Sequence, residues 1–166
     1  MGPMKRLLLV GAGILGAALL FHARFSLVLS VGESMRPTLG NRELLLVDRR
    51  AYRSAGPGRS EVVVARHFGE LIIKRVVGLP GETVEVQEGR LQVEGVPVVE
   101  GYPLLAGRLR ISRGRLGEDR YALLGDNRSL ERSQIVQAVV ARDQILGKVV
   151  ASLPFADFGR FLRTGE

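Results

Sequence analysis

Apolar positions follow two regimes along this 166-residue chain. From Leu7 to Phe21 the run LLLVGAGILGAALLF carries no charge for fifteen residues, with Lys5 and Arg6 just before it. The run resumes after His22, Ala23 and Arg24 as Phe25-Ser-Leu-Val-Leu29. A tilted or snorkelling helix could thus bury a span of about 20 residues. Three readings are open for this stretch: an uncleaved membrane anchor, a cleavable signal peptide, or a buried core helix. A cleavable peptide needs a small-x-small site near Ala23, where Phe21 would occupy the −3 position. For an anchor, Lys5 and Arg6 on the short side place that end in the cytoplasm and the rest outside. The boundaries are then residues 1–24 for the cytoplasmic N-terminus and anchor, and 25–166 for an extracytoplasmic β domain.

Beyond the anchor the pattern shortens to strands. Glu43–Val47, Glu61–Ala65 and Leu71–Val77 are apolar runs rich in Val, Ile and Leu. Thr83–Gln87 and Arg90–Val93 flank Glu88-Gly89, a two-residue hairpin signal. Val96–Val99, Tyr121–Leu124 and Ile145–Ala151 complete the predicted strands. Residues 105–119, with three glycines among four arginines, predict a mobile loop or a long basic hairpin tip. Helical periodicity is weak in the remainder, apart from Arg132–Asp143 and Phe155–Leu162. The fold class is mostly β.

Composition removes several chemistries. There is no cysteine, so disulfides, thiolate metal sites and a cysteine nucleophile are excluded. The two histidines, His22 and His67, are not at metal-ligand spacing, and His22 lies in the apolar stretch. Of the 24 lysines and arginines only three are lysine: Lys5, Lys74 and Lys148. A coding bias toward arginine accounts for the imbalance as a whole. Lysine then marks positions where a removable proton matters, because a guanidinium stays charged. The net charge of +7 also suits an anionic membrane surface. Nine aromatic residues without basic interleaving argue against nucleic acid.

Two segments carry candidate chemistry. Gly32-Glu-Ser-Met-Arg-Pro-Thr-Leu39 offers Ser34 as an exposed nucleophile, although a serine in such a loop is also an ordinary turn residue. Ile72-Ile-Lys74-Arg-Val-Val77 holds a lysine amid apolar neighbours. It is either an edge-strand lysine facing water or an amine whose burial lowers its pKa enough to act as a base.

Together, Ser34-Met35-x-Pro37-Thr38-Leu39 and Lys74-Arg75-Val-Val-Gly78-Leu-Pro-Gly81 behind an apolar N-terminus resemble bacterial type I signal peptidases. Gly125-Asp126-Asn127-Arg128 is similar to that family's third motif. Arg59-Ser-Glu61-Val-Val-Val64 and Gly147-Lys148 resemble its flanking strands, and the likeness runs from about residue 5 to 155. The resemblance implies a Ser-Lys endopeptidase on a β catalytic domain behind one transmembrane helix. Such an enzyme removes signal peptides from exported preproteins after small-x-small sites. Ser34 would be the nucleophile, Lys74 the general base, and the Ser34 N–H an oxyanion donor. Gly32 and Met35 would join Ser34 in oxyanion and substrate binding. Arg75, Asp126, Asn127, Arg128 and Glu131 would support the site. No cofactor or metal is implied. The partners implied are signal-peptide-bearing preproteins and the lipid bilayer, with no nucleic acid.

Gly32 stands where one branch of the family has a serine, and Gly32-Glu33-Ser34-Met35 is similar to the other branch. Glu131 stands where the family has a serine that bonds the lysine, Ser133 replaces an aspartate, and Ile135 an arginine. A carboxylate beside Lys74 would raise its pKa. The expectation is that Glu131 instead turns outward to Arg120, Arg128 or Arg132 in water. Val31 and Met35 are expected in an exposed apolar rim beside Ser34. Two alternatives compete with the peptidase. Self-cleaving repressor-type proteases share Ser-Met and Lys-Arg on a related fold, but the 33 residues before Ser34 are apolar and Ala12-Gly13 lies within the span. A catalytically impaired relative would serve as a membrane-anchored preprotein-binding module.

Overall fold

The computed structural model describes residues 2–130 and 137–154. Glu131, Ser133, Ile135 and the expected helix Phe155–Leu162 lie outside the described residues. Helix α1 spans Pro3–Arg24, with Pro3 at its first turn, where a missing N–H costs nothing. Among the described residues no helix is long and apolar enough to cross a membrane. The helix stops at Arg24, and the chain enters strand β1 (Phe25–Ser30) directly. Phe25–Leu29 therefore does not continue the apolar helix. Val28 turns inward, while Leu27 and Leu29 project to the exposed side.

The remaining strands are β2 (Glu43–Asp48), β3 (Val62–His67), β4 (Glu70–Gly78), β5 (Thr83–Gln87), β6 (Arg90–Val93), β7 (Val96–Pro97), β8 (Ile111–Arg115), β9 (Arg120–Leu124), β10 (Ala138–Ala141) and β11 (Ile145–Pro154). They form an antiparallel seven-stranded sheet, β1-β2-β11-β3-β4-β9-β10, and a four-stranded sheet, β7-β6-β5-β8. The fold is thus mostly β, as the run pattern predicts.

Two predictions are corrected. Residues 105–119 are not a free loop, because Ile111–Arg115 pairs with β5 and Leu109 and Leu116 are buried between the sheets. Ala138–Ala141 is a strand rather than helix, since Ala138 and Val140 face the core while Val139 faces out, a period of two. A short 3-10 turn, Arg142–Gln144, then leads into β11.

The large sheet buries side chains on both faces. On β3, Val63 and Ala65 join Val76, Leu123, Val140 and Ile145 in one cluster. The intervening Val64 packs on the other face with Met35, Leu39, Leu45 and Val47. Burial on both faces explains why β3 reads as an unbroken apolar run instead of alternating. A third cluster, including Val77, Val84, Val86 and Leu124, glues the small sheet to the large one.

Candidate active site

After β1 the chain doubles back through residues 31–42, and the Arg42 N–H closes this loop on the Ser30 carbonyl at 2.9 Å. Met35 and Leu39 anchor it, being buried in the cluster that includes Leu45 and Val47. Met35 is only 3% exposed, so it forms the floor beneath Ser34 and not an exposed rim. The rim falls to Leu27, Leu29 and Val31, which are exposed. From the opposite side Asn127 grips the same loop. Its N–H donates to the Ser34 carbonyl at 3.0 Å and its side-chain amide to the Glu33 carbonyl at 3.1 Å.

Gly125 makes that grip possible. A Cβ there would lie 2.3 Å from the Ser34 carbonyl oxygen, so any side chain must push the serine loop away. Gly125→Ala is expected to cut peptide turnover by about a hundredfold, the scale set by a 1 Å misplacement of a reacting group. Steady-state kinetics on purified variant and parent checks this, and near-parental turnover would contradict the close approach.

Lys74 reaches Ser34 from β4. Its Nζ donates to the Ser34 Oγ at 2.5 Å. Lys74 is 4% exposed, which removes the reading of a lysine facing water. Burial pulls its pKa down to about 8, and the Asp126 carboxylate opposes that pull. No carboxylate is ion-paired to Lys74 among the described residues. Lys148, the other lysine of the β domain, is paired to Glu61 at 2.6 Å.

Next to Lys74, Arg75 is held on four sides. It meets Asp126 in a two-pronged pair, Nε to Oδ1 at 2.8 Å and Nη2 to Oδ2 at 2.5 Å. Its remaining Nη1 donates to the Ser60 carbonyl at 2.6 Å. The Thr38 hydroxyl accepts from Arg75 at 3.1 Å and donates to Asp126 at 2.5 Å. The Tyr102 ring lies under the guanidinium, 3.9 Å from ring centre to carbon. This network ties the nucleophile loop, through Thr38, to the strand carrying the lysine.

Arg128 is 1% exposed and ion-paired with Glu100 at 2.7 Å. It also donates to the carbonyls of Gly125 and Gly89. It is therefore not the water-exposed arginine expected beside Glu131, since it is buried against Glu100; Glu131 itself lies outside the described residues. Gly32 also differs from expectation as a donor, because its N–H is taken by the Asn41 side chain at 3.0 Å. The Ser34 N–H has no acceptor among the described residues. Sequence pattern assigns no role to Thr38, Glu100 or Tyr102. Thr38 sits inside the first motif, while Glu100 and Tyr102 lie in a Gly/Pro-flanked segment without periodicity.

Ser34 and Lys74 open into a cleft of about 610 Å³ lined by Val28–Met35 and Leu71–Lys74. Among the described residues the outer edge of β1 is unpaired, and β4 pairs with β9 only from Arg75 onward. The cleft therefore runs between two open backbone edges, with the serine and lysine at its head.

Comparison with known proteins agrees with these features. The family model described as signal peptidase, peptidase S26, matches residues 4–153. A probable signal peptidase I-2 of Synechocystis sp. is 32% identical over 123 residues, 69% of this chain and 56% of that one. Signal peptidase I of Leptolyngbya laminosa is 33% identical over 128 residues, 71% of this chain and 63% of that one. Signal peptidase IB of Staphylococcus aureus is 29% identical over 147 residues, 76% and 77% of the two chains. The match thus spans less than two thirds of the length of the Synechocystis and Leptolyngbya relatives. With the family model covering both the serine loop and the lysine strand, the chain belongs to the signal peptidase family, peptidase S26.

Proposed function

We propose that this chain is a membrane-anchored serine endopeptidase that removes signal peptides from exported preproteins, with Ser34 as nucleophile and Lys74 as general base. The observation that carries this reading is the buried Lys74 amine bonded to the Ser34 hydroxyl oxygen at 2.5 Å. When Lys74 is neutral the bond reverses, and the hydroxyl donates to the amine. Lys74 takes that proton as Ser34 Oγ bonds to the scissile carbonyl carbon. The Ser34 N–H faces the oxygen that gains negative charge. The C–N bond then breaks, the Lys74 ammonium returns the proton to the departing amine, and an ester on Ser34 remains. Water, deprotonated by Lys74, hydrolyses that ester and restores the serine.

An extended substrate segment suits the open edges of β1 and β4, which offer backbone donors and acceptors for strand addition. Small residues at −1 and −3 follow from the family resemblance. On this reading α1 is the anchor, the N-terminus is cytoplasmic, and the β domain lies on the outer face with the Leu27, Leu29 and Val31 rim toward lipid. Purified full chain incubated with a preprotein bearing Ala at −3 and −1 should release one product whose new N-terminus is the first mature residue. Replacing the −1 Ala by Phe should abolish the cut. Binding without any cut would instead favour the catalytically impaired relative, and a specific cut in the chain itself the repressor-type protease.

A further inference from the structure

A second pocket of about 440 Å³ opens where α1 meets the β domain. Ala23 at the helix end, Leu71 of β4 and four arginines, Arg49, Arg50, Arg53 and Arg66, line it. All four arginines are exposed, and none is ion-paired among the described residues. Asp48, next to Arg49 in the chain, is already committed to Arg24 at 2.7 Å. Arg24 thereby fixes the helix end against β2, and the Arg49 N–H adds a bond to the Arg24 carbonyl at 2.9 Å. Four uncompensated guanidiniums around one concavity form a site for an anion, and their forked donors match phosphate oxygens.

The surroundings say which anion. Arg66 faces Leu71 across the β3–β4 hairpin, whose tip carries Phe68 at 93% exposure. Phe68 and Leu71 are exposed apolar side chains beside the basic pocket, and the exposed apolar surface of α1 leads up to it through Leu19, Leu20 and Phe21. Apolar groups next to unpaired cations complement an interface whose tails are apolar and whose headgroups are anionic. We infer that this pocket holds the phosphodiester headgroup of an anionic membrane lipid. The inference rests on the anchor reading for the source of the lipid. The pocket shares Val28 and Leu71 with the active-site cleft, so a bound headgroup would seat the cleft's far end at the bilayer surface.

The test titrates full chain in detergent micelles with phosphatidylglycerol, phosphatidylcholine or inorganic phosphate, counting bound lipid by native mass spectrometry. It compares the native chain with Arg49→Gln/Arg50→Gln/Arg53→Gln/Arg66→Gln and with a control, Arg90→Gln/Arg108→Gln/Arg113→Gln/Arg120→Gln. All eight side chains are exposed, so both variants should retain the native urea midpoint. The native chain and the control should prefer phosphatidylglycerol to phosphatidylcholine by at least about tenfold, and the pocket variant should lose that preference. Absence of the preference in the native chain overturns the inference, as does equal loss in the control. Displacement of the lipid by an equal concentration of inorganic phosphate overturns it too, making the pocket a free-phosphate site. Alkaline extraction of membranes reads the anchor separately. Release of the chain with lipid preference intact removes the anchor reading alone, and a retained chain without preference removes this inference alone.

Discussion

Lys74→Arg, Lys74→Met and Ser34→Ala should each lower preprotein cleavage by on the order of 10⁴-fold or more, the scale of losing one member of a nucleophile–base unit. Arginine keeps the charge and the reach but cannot give up its proton, so its failure separates a base from a mere cation. In the native chain the amine titrates at about 8, and only its neutral form accepts the serine proton. Cleavage should therefore rise with pH through about 8 and level off above it. Asp126 holds that pKa up, so Asp126→Asn should move the limb to lower pH. Substantial activity in Lys74→Arg, or a rate independent of pH between 6 and 9, would remove Lys74 from the reaction. The same lysine weakens the fold. Its folded pKa lies below the unfolded 10.5, so the unfolded chain binds more protons between the two values and stability rises with pH across that window. Lys74→Met should consequently stabilise the protein at pH 7, by about 3 kcal/mol, as urea unfolding would show.

Asp126→Ala should destabilise the fold by about 3–5 kcal/mol, because it strands the Arg75 guanidinium in a site with almost no water. Arg75 is 7% and Asp126 0% exposed at the side chain, so solvent cannot replace the lost partner. Removing both charges together, as Arg75→Met with Asp126→Leu, should cost less than either charge removed alone, since the desolvation of an unpaired ion is gone. Urea unfolding of the two singles and the double closes the cycle. Single-variant losses below about 1 kcal/mol would show the pair to be solvated and its network unimportant.

The strands that the sequence makes legible are those whose apolar side chains are buried on one or both faces. Thr83–Gln87 and Arg90–Val93 have the predicted bounds because side-chain alternation and the Glu88-Gly89 turn agree. Ile111–Arg115 escapes that logic, since only Ile111 is partly buried and its place is fixed by backbone pairing with β5. β1 was masked by its neighbour. Leu27 and Leu29 are apolar yet exposed, so past the short His22-Ala23-Arg24 interruption the strand reads as more of the helix's apolar run. At the site, the lysine in an apolar strand leaves a water-facing reading open, and the pairing of Lys74 with Ser34 rests on the resemblance of the two motifs together to the family. The contributions of Thr38, Glu100 and Tyr102 depend on distances across the fold, which no local pattern encodes. The inward commitment of Arg128 is hidden for the same reason: its partner Glu100 lies 28 residues away, in a stretch that reads as loop.

Arg128 also governs where this molecule can be lengthened. Its guanidinium bridges the Gly125 carbonyl behind Ser34 and the Gly89 carbonyl at the β5–β6 turn. Around that bridge three backbones touch. A Cβ on Gly107 would lie 1.7 Å from the Arg128 carbonyl oxygen, and one on Gly89 would lie 2.5 Å from the Gly107 carbonyl oxygen. Gly89 also sits at φ 75°, which disfavours any side chain. A peptide tag spliced in at Glu88-Gly89 would therefore be transmitted to the serine loop through a single arginine. The next turn of the same small sheet, at Gly95, has nothing within 4 Å of where a side chain would begin. Gly95 shares the left-handed backbone, at φ 78°, so a side chain is disfavoured there too, but an epitope inserted at that turn meets no packed backbone, which makes it, one strand away, the insertion point that leaves the serine loop undisturbed.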